Sequence, residues 1–142
     1  MRYVLDSSVA FKWEIPELHS AEALRLRADF QAGVHELLSP DVFPSEVGHA
    51  LTRAERQGRI TIGEALRLWS DVMLTAPQLI ISLPLTHRAI VLSSQTRIGV
   101  FDCLYVEPTE RENCELVTAD TRLISNLQHQ FSFIRDISSM PC

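Results

Sequence analysis

Short apolar runs alternate with longer segments of helical character along the chain, and this alternation constrains the fold more than any other feature. Five runs have the length and composition of buried strands: residues 2–5, 37–39, 79–83, 115–118 and 131–134. The segments between them repeat apolar residues at the spacing of amphipathic helices. Strands separated by helices predict an α/β fold with a central parallel sheet flanked by helices.

Capping residues, glycine and proline indicate where the helices begin and end. Pro44 suits the first turn of one helix and Gly58 suits its end, while Thr61 is a capping residue and Pro77 a terminator for the next. The predicted helices are residues 9–13, 17–32, 44–58, 61–77, 86–99, a segment that begins at 101, and 121–130.

Length and composition predict one soluble domain over residues 1–142 with one hydrophobic core, because 142 residues with 46% hydrophobic content is ordinary for a globular domain. No apolar run approaches the roughly 18–20 residues that cross a bilayer. The chain reaches Asp6 without the apolar stretch of a signal peptide, so a cytoplasmic location is expected. Cys103, Cys114 and Cys142 form no CxxC pair and are expected to be reduced thiols.

The formal net charge of −5 argues against tight, nonspecific binding of long DNA, which depends on a basic surface. Lys12 is the only lysine, so nearly all the cations are arginines, which bind phosphate through two parallel hydrogen bonds. The charge therefore leaves open a short RNA segment that binds through a metal ion.

Two aspartates follow predicted strands directly or closely. Asp6 comes after residues 2–5, and Asp120 lies two residues beyond Thr118. If the first and fourth strands are neighbours, both carboxylates reach the crevice outside the strand ends, where ligands bind in parallel sheets. Taken singly, each aspartate is also an ordinary residue for capping the helix that follows.

Two further acids lie in the first turns of predicted helices, where the helix dipole favours a carboxylate: Glu46 and Asp102. Four segments then resemble, in order, the acidic motifs of PIN-domain nucleases, and the resemblance is closest to the small VapC-like toxin branch. The segments are residues 4–10, 44–47, 101–106 and 116–123. They span almost the entire chain.

This resemblance implies a single PIN-like domain whose parallel sheet has the strand order 3-2-1-4-5. It implies catalytic and metal-binding roles for four residues: Asp6, Glu46, Asp102 and Asp120. The chemistry is consistent with this, because phosphodiester hydrolysis needs an activated water and a stabilised leaving oxygen, which Mg²⁺ or Mn²⁺ bound by carboxylates supplies. Whether one or two ions bind is open.

Four other residues are candidates for binding substrate. The hydroxyls of Ser7 and Thr118 are expected near the metal-bound water or a phosphate, although turn or cap hydrogen bonds explain them equally well. Lys12 and Arg122 are close to the first and fourth motifs and are candidate phosphate contacts, with solvated surface charge as the alternative for Arg122.

A toxin of this kind implies further properties. Hydrolysis of RNA would leave a 5′-phosphate and a 3′-hydroxyl, a small antitoxin protein would inhibit by occupying the acidic cleft, and the chain would form a homodimer. The sequence departs from the family pattern at Pro108, which is expected to kink or end the helix that follows Asp102. It also has Thr121 and Arg122 where some members have another acid, which predicts looser metal binding.

Other classes of protein were weighed against this interpretation. A receiver domain needs a lysine late in the chain, and none is present. A haloacid-dehalogenase-type phosphatase needs Asp-x-Asp, whereas Asp6 is followed by Ser7 and Ser8. The remaining alternative is a catalytically weak PIN-fold module that acts by binding RNA or protein, and metal-dependent cleavage distinguishes it from an enzyme.

Overall fold

The structure is a computed structural model that describes every residue from Met1 to Cys142. Strands and helices alternate along the chain. The strands are β1 (Arg2–Leu5), β2 (Glu36–Pro40), β3 (Gln78–Ile80), β4 (Glu115–Thr118) and β5 (Ile134–Asp136). The helices are α1 (Ser7–Glu14), α2 (Ser20–Gln31), α3 (Phe43–Arg56), α4 (Glu64–Leu74), α5 (Leu83–Thr96), α6 (Val100–Glu112) and α7 (Thr121–Leu127), with a 3₁₀ helix at Ile137–Ser139.

All five strands form one parallel sheet in the order β3-β2-β1-β4-β5. This confirms both the predicted fold class and the strand order that the family resemblance implies. Leu5 pairs with Val117, so β1 and β4 end side by side in the middle of the sheet. The Asp6 N–H extends this pairing by donating to the Val117 carbonyl at 3.1 Å.

The sheet divides the buried side chains into two layers instead of the single core that composition predicts. Tyr3 and Leu5 point into the layer beneath α1 to α4, whereas Val4 points into the layer beneath α5 to α7. This alternation follows from the two-residue period of a strand. Helices cover both faces, which explains why the strands read as continuous apolar runs.

Several predicted boundaries are wrong by a few residues. The strand predicted at 79–83 ends at Ile80, since Pro84 lies in the first turn of a helix that begins at Leu83 and not at Thr86. The strand predicted at 131–134 instead covers Ile134–Asp136. The helices predicted to begin at residues 9 and 61 begin at 7 and 64.

Pro108 does not end its helix, contrary to one of the two effects expected of it. Helix α6 continues to Glu112, and the Thr109 hydroxyl donates to the Tyr105 carbonyl at 2.8 Å. Pro108 and Thr109 are both buried, so packing on the sheet holds the helix together despite the missing N–H donor. The chain has no helix with the length and apolar character needed to cross a membrane.

Candidate active site

The adjacent ends of β1 and β4 are joined by a network of side-chain hydrogen bonds. Thr118 Oγ1 donates to Asp6 Oδ2 at 2.9 Å and accepts the Asp120 N–H at 3.0 Å. Ser8 also donates to Asp6 Oδ2 and accepts the Ala119 N–H at 3.0 Å. Thr118 is thus a shared partner that keeps Asp6 and Asp120 at the same edge of the sheet.

Glu46 and Asp102 reach this edge from the first turns of α3 and α6. The Tyr105 hydroxyl donates to Glu46 Oε1 at 2.7 Å, and Ser7 Oγ donates to the same oxygen at 3.5 Å. Tyr105 follows Asp102 by three residues, so both side chains lie on the same side of α6. Both hydrogen bonds end on Oε1, which leaves Oε2 of Glu46 without a protein donor.

Burial and mutual repulsion favour the protonated forms of these carboxyl groups. Burial raises the pKa of Asp6 and Asp120 raises it further, against the hydrogen bonds from Ser8 and Thr118. Burial raises the pKa of Glu46 to about 7, with contributions from Asp6 and Asp102.

The same causes act on the third carboxyl group of this set. Burial raises the pKa of Asp102 to about 6, and the charges of Asp6 and Asp120 add to the rise while Arg122 opposes it. The carboxylates therefore sense one another's charge, although they come from four separate segments. A cation placed among them would relieve this repulsion.

In the conformation described, no three His, Cys, Asp or Glu side chains are close enough to share one metal ion. Asp120 caps α7, because its Oδ1 accepts the N–H groups of Arg122 and Leu123 at 3.0 and 3.2 Å. The capping explanation given for Asp120 is therefore correct as far as that oxygen is concerned. The donor set still fits Mg²⁺ or Mn²⁺, which prefer carboxylate oxygens, and co-ligation requires rotation of the side chains.

A cleft of about 1050 Å³ opens beside the carboxylates and includes Glu46 and Asp120 in its lining. Of the predicted substrate contacts, Ser7 and Lys12 line it, whereas Thr118 is buried beneath it. The Lys12 ammonium is already bound by Glu17 at 3.2 Å and by the Leu18 carbonyl at 2.8 Å. Arg122 is exposed and lies outside the cleft lining, near enough to Asp102 to affect its pKa.

The sequence interpretation did not name Ser8, Tyr105 or Arg53 as site residues. Ser8 and Tyr105 lie inside the first and third acidic motifs, but nothing in a single sequence shows which oxygen a hydroxyl contacts. Arg53 lines the cleft on the same helix as Glu46, seven residues further along, and this helical spacing was the available signal. Trp13 is a core residue, as expected, and its indole donates to the Ala23 carbonyl at 2.9 Å.

A parallel α/β sheet with a group of carboxylates at the ends of its two adjacent central strands defines a protein with an acidic crevice at the topological switch point. The family model of the PIN domain matches residues 3–128, and the chain belongs to this family. This confirms the family that the four acidic motifs indicated. PIN domains are generally nucleases, which are hydrolases.

Among solved structures, the chain is similar to the crystal structure of PAE2754 from Pyrobaculum aerophilum. The TM-score is 0.68, and the match covers 97% of this chain and 93% of that chain at 20% sequence identity. At that identity the likeness concerns the fold alone. No curated protein matches the chain.

Proposed function

We propose that the chain is a metal-dependent endoribonuclease that hydrolyses RNA phosphodiester bonds. The observation that carries the proposal is the convergence of Asp6, Glu46, Asp102 and Asp120 on one edge of the sheet, where they raise one another's pKa. Such a group of hard oxygen donors suits Mg²⁺ or Mn²⁺, and it lies beside an open cleft in a fold that generally serves nucleases.

These four carboxylates would hold the ion, which supplies an activated water and neutralises charge on the phosphate and the leaving oxygen. The other residues position the carboxylates. Ser8 and Thr118 fix Oδ2 of Asp6, and Tyr105 fixes Oε1 of Glu46. Metal binding requires ionised ligands, so their raised pKa values make it dependent on pH.

The proposal extends to a toxin of a toxin–antitoxin pair, on the strength of the motifs in residues 4–10 and 116–123 that resemble the VapC-like branch. In this form the enzyme is a cytoplasmic homodimer, and its products carry a 5′-phosphate and a 3′-hydroxyl. A small antitoxin protein would inhibit it by covering the cleft, which is wide enough to admit side chains from a partner.

A second function, binding of RNA or protein without cleavage, is favoured by two observations. No three acidic, histidine or cysteine side chains share a metal-binding position as they stand, and Asp120 already caps α7. A module of this kind would use the same cleft and lack the chemistry.

Cleavage of labelled single-stranded RNA in Mn²⁺ or in EDTA tests the proposal. We expect cleavage only with Mn²⁺, and we expect Asp102→Asn to abolish it because a candidate ligand is lost. Asp41→Asn is the matched control, since Asp41 is an exposed aspartate without an ion pair at the end of β2. Binding of RNA without cleavage by the wild type would overturn the enzyme in favour of the module.

A further inference from the structure

One side of α3 extends from the carboxylates along the wall of the cleft. Glu46, His49, Arg53 and Gln57 all line the cleft, and their spacing of three or four residues places them on one face of the helix. Arg53 is seven residues beyond Glu46, which is about 10 Å along the helix axis. A guanidinium therefore lies on the same wall as the acidic group, two helical turns away.

Arg53 is exposed and makes no ion pair or side-chain hydrogen bond within the chain. The other cations of the cleft are less available, because Lys12 and Arg59 both bind Glu17, at 3.2 and 3.0 Å. Three cations thus face one carboxylate at this end of the cleft, in a chain whose net charge is −5. This end is locally positive and attracts an anion.

Phe101 lies next to Asp102 in the lining of the cleft and is 61% exposed. A large apolar ring at this position gains nothing from the core of its own chain. Nucleic-acid bases stack on exposed aromatic rings whatever their sequence, provided that the bases are unpaired. A positive wall and an exposed aromatic ring, both beside the acidic group, form the combination that single-stranded nucleic acid recognises.

We propose that the cleft binds single-stranded RNA, with Arg53 contacting a backbone phosphate and Phe101 stacking on an unpaired base. This inference rests on the proposed function, since it identifies the form of RNA that the site receives. Arg53 suits the phosphate because a guanidinium donates two parallel hydrogen bonds to it. Duplex RNA is disfavoured because its bases are stacked on each other and have no free face for Phe101.

Binding of fluorescein-labelled oligouridylate to an Asp102→Asn background, which does not cleave, tests the phosphate contact. We expect Arg53→Ala to weaken binding and to reduce the slope of log K against log salt by about 0.7, the value for one phosphate on a single strand. Arg53→Lys should retain most of the slope. Arg56→Ala is the matched control, because Arg56 is also an exposed arginine without an ion pair in the last turn of α3 but lies outside the cleft lining.

The stacking contact is tested in the same assay. We expect Phe101→Ala to weaken binding of the oligouridylate roughly tenfold with no change in salt slope. Leu74→Ala is the control, because Leu74 is a large apolar residue with 81% exposure that does not line the cleft. A duplex of the same length should bind more weakly and should be insensitive to Phe101→Ala.

Equal binding by the Arg53→Ala and Arg56→Ala variants, or equal affinity for duplex and single strand, overturns the inference. These outcomes are separate from those of the nuclease proposal. If the wild type cleaves RNA with Mn²⁺ while both cleft variants bind like their controls, only the RNA-binding inference fails. If the cleft variants weaken binding while the wild type never cleaves, only the nuclease proposal fails.

Discussion

Tyr105 contributes one hydroxyl to the candidate site, and that hydroxyl fixes the side chain of Glu46. The phenol is fully buried and donates to Oε1 at 2.7 Å. This hydrogen bond stabilises the ionised carboxylate and so opposes the burial that raises the pKa of Glu46 to about 7. Tyr105 is therefore a positioning residue, since it acts on a candidate ligand and does not itself reach the metal or the RNA.

We expect Tyr105→Phe to reduce Mn²⁺ affinity roughly tenfold, the size of effect typical when the hydrogen-bond partner of a metal ligand is lost. Calorimetric titration of the purified protein measures this without any RNA. Tyr3→Phe is the matched control, because Tyr3 is also a buried tyrosine but its hydroxyl makes no hydrogen bond. Equal Mn²⁺ affinity for the two variants would contradict the role given to Tyr105.

Asp6 is the most buried of the four carboxylates, with 5% of its surface exposed, so it gains most from a nearby cation. We expect millimolar Mn²⁺ to raise the melting temperature of the wild type by several degrees, because a ligand at a hundred times its Kd adds about 2.7 kcal/mol. In Asp6→Asn the rise should be much smaller, since one charge is removed. Asp41→Asn should keep the full rise, and a melting curve indifferent to Mn²⁺ in the wild type would oppose the metal site.

At the scale of helices, Arg27 of α2 connects the ends of α1 and α4. Its guanidinium lies 3.4 Å from Glu14 and 3.2 Å from Asp71, and it covers the ring of Trp13 at 4.8 Å. One arginine therefore serves two carboxyl groups. Burial, together with the neighbouring Asp71, raises the pKa of Glu14 to about 7 from an ordinary value of 4.5.

This raised pKa makes stability depend on pH. Between about 4.5 and 7 the folded state binds more protons at Glu14 than the unfolded state does, so the free energy of unfolding falls as pH rises through this window. We expect Glu14→Gln to remove this part of the fall, on the order of 2 kcal/mol. Urea unfolding of both proteins at pH 4.5 and pH 8 measures it. An identical pH dependence for wild type and variant would contradict the assignment.

The strands and the fold class were predictable because the apolar runs are short and are buried on both faces of the sheet. The boundaries failed where a proline was interpreted without its surroundings. Pro84 begins a helix where a strand was expected to continue, and Pro108 sits inside a helix that packing on the sheet holds together. These outcomes depend on tertiary contacts, which local propensity does not contain.

The acids of the candidate site were predictable because each lies in a recognisable motif at a strand end or a helix start. The hydroxyls that orient them were not. Ser8 reaches Ala119, and Tyr105 reaches Glu46 from another helix, so both contacts exist only once distant segments pack together. The order of strands came from the family resemblance, since the alternation of strands and helices alone is compatible with other orders.

At the scale of the whole molecule, the candidate site belongs to no single element. Its carboxylates come from the end of β1, the first turns of α3 and α6, and the end of β4. The parallel sheet brings the two strand ends together, and helices packed on its opposite faces deliver Glu46 and Asp102 to the same edge. Folding therefore assembles a set of like charges, and the nuclease proposal depends on one cation-binding position among them.

Anomalous X-ray scattering from crystals grown with Mn²⁺ tests this position directly. The account predicts a manganese peak at the joined ends of β1 and β4, within coordination distance of carboxylate oxygens from Asp6 and Asp102 and of Oε2 from Glu46. The same crystals of Asp6→Asn should show a weaker peak. A manganese peak elsewhere on the molecule, or crystals of the wild type with no peak at this edge of the sheet, would contradict it.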